Sequence, residues 1–131
     1  MPEHGGSCQH SQQIVLVSEQ PHSAWLDAAL SSYGYAVVTF SPSGADVARL
    51  AECPHHLVVV EVQFGERHGL ACLRALQPHP LPPVLVVSTD PRLLEAIAAR
   101  PAQYACDRTL LLPVSLSRLT GTVEELIGPP A

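Results

Sequence analysis

The chain contains no lysine: its seven basic residues are all arginines (Arg49, Arg67, Arg74, Arg92, Arg100, Arg108 and Arg118), scattered along 131 residues with a formal net charge of −5. Binding to a phosphate backbone rests on gathered cations, so no nucleic-acid partner is expected. The missing ammonium also excludes chemistry that needs a point charge on a flexible stem, because a planar guanidinium is a poor replacement. No apolar run approaches the ~20 residues that span a bilayer. The start, Met1 to Gln13, is polar rather than basic and then apolar, so neither a membrane partner nor a secretion signal is expected. Cys8, Cys53, Cys72 and Cys106 form no CxxC pair, which fits a reduced, cytoplasmic protein. Also missing are GxGxxG, a phosphate-cradling loop ending in GK[ST], GxSxG and any fixed-period repeat, so nucleotide-dependent and α/β-hydrolase readings have no residue support.

The composition that remains, 47% hydrophobic and 15% charged, suits one globular core. Ile14 to Val17, Tyr35 to Phe40, Leu57 to Val62, Val84 to Val87 and Thr109 to Leu112 are short β-rich runs of the kind buried on both faces of a parallel sheet. Between them, apolar residues at helical spacing predict helices over Ser23 to Tyr33, Ala45 to Cys53 (with Ser43 and Asp46 as a capping pair), around Leu70 to Leu76, and around Leu93 to Ala98. A last helix carries Leu116, Leu119, Val123 and Leu126, with Ser115 as its cap. Strict alternation of five strands and five helices means right-handed crossovers and helices on both faces. The expected fold is a three-layer αβα domain with a five-stranded parallel sheet. It occupies residues 13–128, after a flexible tail over 1–12 and before a loose end over 129–131. In such folds the site lies beyond the carboxyl ends of the strands.

The residues at those ends carry a resemblance. Ile14-Val15-Leu16-Val17-Ser18-Glu19, His56-Leu57-Val58-Val59-Val60-Glu61-Val62 followed by Gly69-Leu70, Pro83-Val84-Leu85-Val86-Val87-Ser88, and Leu110-Leu111-Leu112-Pro113-Val114 resemble the strand ends of response-regulator receiver domains of bacterial two-component systems, from Ile14 to Ile127. The resemblance implies the receiver-like sheet order 2-1-3-4-5, paired acids at the positions of Ser18 and Glu19, a phospho-accepting aspartate at that of Glu61, a hydroxyl at Ser88, an aromatic switch at that of Thr109, and a lysine at that of Leu112 before a cis proline at Pro113. Only Ser88 keeps a compatible role. Glu61 is one methylene longer than aspartate, Ser18 carries no charge for Mg²⁺, and Leu112 cannot neutralise a phosphoryl group. The resemblance therefore implies a degenerate pseudo-receiver, a protein-interaction module and not an enzyme, with no cofactor and no metal.

A receiver-like module would meet a protein partner or a second copy through its fourth helix, fifth strand and fifth helix, where Arg92, Glu95, Arg100, Arg118 and Glu124 give a mixed polar surface. Two alternatives stand beside this: a small-ligand or divalent-metal sensor using Glu19, Glu61 and Ser88, and Glu61 as a built-in phosphomimic. Trp25 and Tyr33 are expected to pack in or at the edge of the core. His68 and Cys72, four residues apart, and the cluster of Cys53, His55 and His56 match no closed zinc pattern, nor do His4, Cys8 and His10 in the tail. A nucleophilic role for Cys53, Cys72 or Cys106, beside apolar stretches, is not expected.

Overall fold

The structure is a computed structural model that describes residues 12–18, 22–40, 56–63, 68–78 and 82–130. Within these residues the strands are β1 (Gln13–Val17), β2 (Ala36–Phe40), β3 (Leu57–Glu61), β4 (Val84–Ser88) and β5 (Arg108–Leu111). The helices are α1 (His22–Tyr33), α2 (His68–Leu76), α3 (Pro91–Ala98) and α4 (Leu116–Ile127). The helix expected over Ala45 to Cys53, with its caps Ser43 and Asp46, lies outside the described residues, as do most of the expected tail and Ala131. The expected fourth and fifth helices are thus α3 and α4.

All strand pairs are parallel, as the alternation predicts, and the sheet order is β2-β1-β3-β4-β5, as the resemblance implies. β1, β3 and β4 are Val-, Leu- and Ile-rich and almost wholly buried, because helices cover both faces. Successive side chains point to opposite faces, which divides the core in two. Val15, Val17, Val58, Val60, Val84 and Val86 pack with Cys72, Leu73 and Leu76 of α2 and with Leu94 and Ile97 of α3. Ile14, Leu16, Leu57, Val59, Leu85 and Val87 pack with Leu26 and Leu30 of α1 and with Leu119 and Val123 of α4.

Local signals set the helix ends. Asp90 caps α3 by accepting from the amides of Arg92 and Leu93, with Pro91 in the first turn, where its missing N–H costs nothing. Ser115 caps α4 through the amide of Arg118, as expected. Gly34, at φ +122°, follows α1, and a Cβ there would stand 3.0 Å from Pro130 Cβ, so both backbone angle and space require glycine. Gln12 at the edge of the expected tail donates to the Ile127 carbonyl at 2.7 Å, and Tyr35 Oη donates to the Gly128 carbonyl at 2.9 Å. These two bonds tie the start of β1 and the turn before β2 to the carboxyl end of α4.

Candidate functional site at the carboxyl ends of the strands

Parallel register carries the ends of β1, β3, β4 and β5 to one edge of the sheet. Val17 stands opposite Val60, Glu61 opposite Val87, and Ser88 opposite Leu111. The ladder runs one residue further, since the amides of Val62 and Leu112 donate to the Val87 and Ser88 carbonyls at 2.9 and 2.8 Å. Ser18, Glu61, Ser88 and Leu112 are therefore brought to one edge, as the sequence predicts. Glu19 lies outside the described residues.

Glu61 is only 3% exposed. Burying a carboxylate is costly unless hydrogen bonds replace its water. Ser18 Oγ donates to Glu61 Oε1 at 2.6 Å, and Gln63 Nε2 donates to Glu61 Oε2 at 2.9 Å. Thr89 Oγ1 in turn donates to Gln63 Oε1 at 2.7 Å. A chain of hydrogen bonds thus runs from the end of β4 through the segment after β3 to the end of β1. Glu61 does not stand in solvent; it is the acceptor at the centre of this chain. Ser88 is fully buried, and its Oγ accepts from the Asp90 amide at 3.1 Å, so its hydroxyl oxygen serves the turn into α3.

Gln63 and Thr89 were not singled out from the sequence. Gln63 lies two residues past a strand end and Thr89 one, and the rule that sites collect beyond the carboxyl ends would have reached both. Leu112 is 4% exposed and belongs to the core cluster facing α1 and α4. An alkyl side chain is at ease there, and nothing it carries could meet an anion. The Leu112-Pro113 bond is cis, as the resemblance implies.

The strand-end residues fit a divalent cation poorly. Mg²⁺ asks for octahedral oxygen ligands, and the described residues past the strand ends supply the carboxylates of Glu61, each oxygen of which already accepts a hydrogen bond, and of Asp90, which caps α3. Among the described residues no group of three His, Cys, Asp or Glu side chains could hold a metal ion. His68 is exposed and Cys72 buried, so the pair does not share a surface. Cys53, His55, His4, Cys8 and His10 lie outside the described residues. His56 Nδ1 accepts from the Gln13 amide at 3.0 Å. Burial pushes the Cys72 thiol up to about 12, and burial with nearby Asp107 pushes Cys106 up to about 11. Neither is a ready thiolate.

On the flank, Thr109, Glu95 and Arg118 line a cavity of about 590 Å³ between α3, β5 and the start of α4. Thr109 stands where the resemblance implies an aromatic residue. Arg92 and Arg100 are exposed on and after α3. Glu124 is not brought to this face; on α4 it accepts from Tyr33 Oη of α1. Arg108 of β5, absent from the expected surface, pairs with Glu125 at 2.9 Å. Trp25 and Tyr33 are 42% and 41% exposed, more than core or half-core packing predicts, because Leu26 and Leu30 take the inward stripe of α1 instead.

No family model matches the chain. A Rhizobium etli protein described as a probable chemotaxis protein CheY is 24% identical over 123 residues, 88% of this chain and 92% of that one. Among solved structures, a response regulator from Thermotoga maritima superposes with a TM-score of 0.71 at 21% identity, over 89% of this chain and 98% of that one. The receiver domain of a Pseudomonas aeruginosa sensor histidine kinase, solved with magnesium coordinated in its active-site cleft, gives 0.72 at 20% identity over the same shares. Among the described residues no helix is long and apolar enough to cross a membrane. In its fold, a five-stranded parallel sheet of order β2-β1-β3-β4-β5 with helices on both faces, this chain is similar to CheY-like response-regulator receiver domains.

Proposed function

We propose that the chain is a receiver-type signalling module that works without phosphorylation, as a pseudo-receiver in the cytoplasm of a bacterial cell. The observation that carries this reading is the condition of Glu61. It is buried, it accepts from Ser18 on one oxygen and from Gln63 on the other, and Leu112, where the resemblance implies a lysine, is a core leucine. A nucleophile must present a lone pair in line with the phosphoryl group, and the charge that develops must be neutralised. Here each carboxylate oxygen already accepts a hydrogen bond, and the position where the resemblance implies a lysine holds none. The chain of hydrogen bonds holds one arrangement of the strand ends, where a phospho-switch requires two arrangements that the phosphate stabilises differently.

A module of this kind acts through docking, and the face formed by α3, β5 and α4 suits a protein partner or a second copy. Glu95 and Arg118, of opposite charge, flank its cavity, which favours a mixed polar interface. Incubation with phosphoramidate and Mg²⁺, followed by intact-mass measurement, tests the reading. The expected result is no gain of a phosphoryl group, and a gain that disappears in Glu61→Gln would overturn it.

A further inference from the structure

A second cavity, of about 520 Å³, lies beside the strand ends, lined among the described residues by Trp25 of α1, Thr89 after β4, and Leu112, Pro113 and Val114 after β5. We propose that it binds a small, neutral, planar aromatic molecule that carries an N–H or O–H donor.

Size, charge, surface and hydrogen-bonding sense each narrow the ligand. The volume falls within the roughly 300–1,000 Å³ of small-molecule pockets. None of these lining residues carries a charge, so a charged ligand would lose its hydration without compensation. Trp25 is the only tryptophan in the chain; the residue is 42% exposed and lines this cavity. An aromatic guest would cover that ring in a stacked or edge-to-face arrangement. Thr89 supplies the polar handle. Its single hydroxyl proton goes to Gln63 Oε1 at 2.7 Å, so toward the cavity the oxygen can only accept. The matching ligand group is a donor. Through the same hydroxyl the occupant would touch the chain that runs by Gln63 to Glu61 and Ser18. The site does not depend on whether Glu61 can be phosphorylated.

N-phenyl-1-naphthylamine, which is neutral, aromatic and has one N–H, serves as the probe, with 1-phenylnaphthalene, which lacks the donor, as its control. Titration into the folded full-length chain should quench Trp25 emission and raise probe emission together, saturating at one molecule per chain. Thr89→Val, which keeps the side chain's shape and removes the acceptor, should weaken the amine about five-fold, the worth of one neutral hydrogen bond, and leave the hydrocarbon unchanged. Val114→Glu, at a half-buried wall position, should abolish binding of both, with melting curves showing each variant folded. Failure to saturate would overturn the proposal. So would equal binding of the amine to wild type and Thr89→Val, or undiminished binding to Val114→Glu.

Discussion

Removing the Glu61 carboxylate should cost more than its burial penalty returns. In Glu61→Ala, Ser18 Oγ loses a partner at 2.6 Å and Gln63 Nε2 one at 2.9 Å. Hydrogen bonds to charged groups are worth about 1.5–3 kcal/mol each, so the pair represents roughly 3–6 kcal/mol. Relief from holding an acid at 3% exposure offsets part of this, because buried charges cost several kcal/mol to desolvate. A net loss of about 2–3 kcal/mol is expected, or roughly 6–15 °C in melting temperature for a chain of this size. Glu61→Gln should recover most of it. Its amide oxygen can still accept from Ser18, while its NH₂ meets a reversed Gln63 amide whose own NH₂ then turns toward Thr89. Urea unfolding followed by circular dichroism, run as a double-mutant cycle with Ser18→Ala, isolates the Ser18–Glu61 bond. The expected coupling is about 1.5–3 kcal/mol. A coupling below about 0.5 kcal/mol, the additivity of independent sites, would refute the reasoning, as would a Glu61→Ala protein more stable than wild type.

The other expectations concern the frame around the site. Asp90→Ala removes a side chain that accepts from two amides at the start of α3 and should cost about 1 kcal/mol in chemical unfolding, with Asp90→Asn largely neutral. Burial, with Glu124 and Tyr33 nearby, raises the Tyr35 phenol to about 12 from an ordinary 10.0. Protonated, neutral Tyr35 therefore favours the folded state fully below pH 10, and that contribution fades between pH 10 and 12. Burial of Cys72 acts in the same sense from pH 9 upward, so alkaline melting temperatures should fall across this window, and less steeply in Tyr35→Phe. Site-resolved mass spectrometry after brief iodoacetamide treatment at pH 8 should find Cys72 unmodified in the native chain and modified in urea. Leu119→Ala, deleting a fully buried contact of α4 with the sheet, should cost about 2–5 kcal/mol.

The strands were legible from the sequence because a strand buried on both faces must be apolar throughout, and runs such as Leu57-Val58-Val59-Val60 satisfy little else. Their alternation with helical spacing gave the parallel sheet, and the resemblance of the strand ends gave its order. The missing ammonium was legible too, since a chain without lysine cannot place one at Leu112. Faces were read less well. Helical periodicity separates Leu26 and Leu30 from Trp25 by a fraction of a turn, and which of them meets the sheet depends on how α1 docks. The expected partner surface likewise included Glu124, which the rotation of α4 turns toward Tyr33.

What the sequence determined by itself was composition-level chemistry: which charges exist, which periods the apolar residues follow, and which residues end the strands. Only the tertiary structure decided the state of Glu61. Its partner Ser18 is 43 residues away in the chain, and Gln63 is joined to Thr89 across 26. Such pairs form when strand register and side-chain rotamers bring donor and acceptor within about 3 Å, a condition that local sequence does not encode. A glutamate at a strand end could as well have stood in water. Packing of β1, β3 and β4 against one another closed the water out and supplied the two donors in its place.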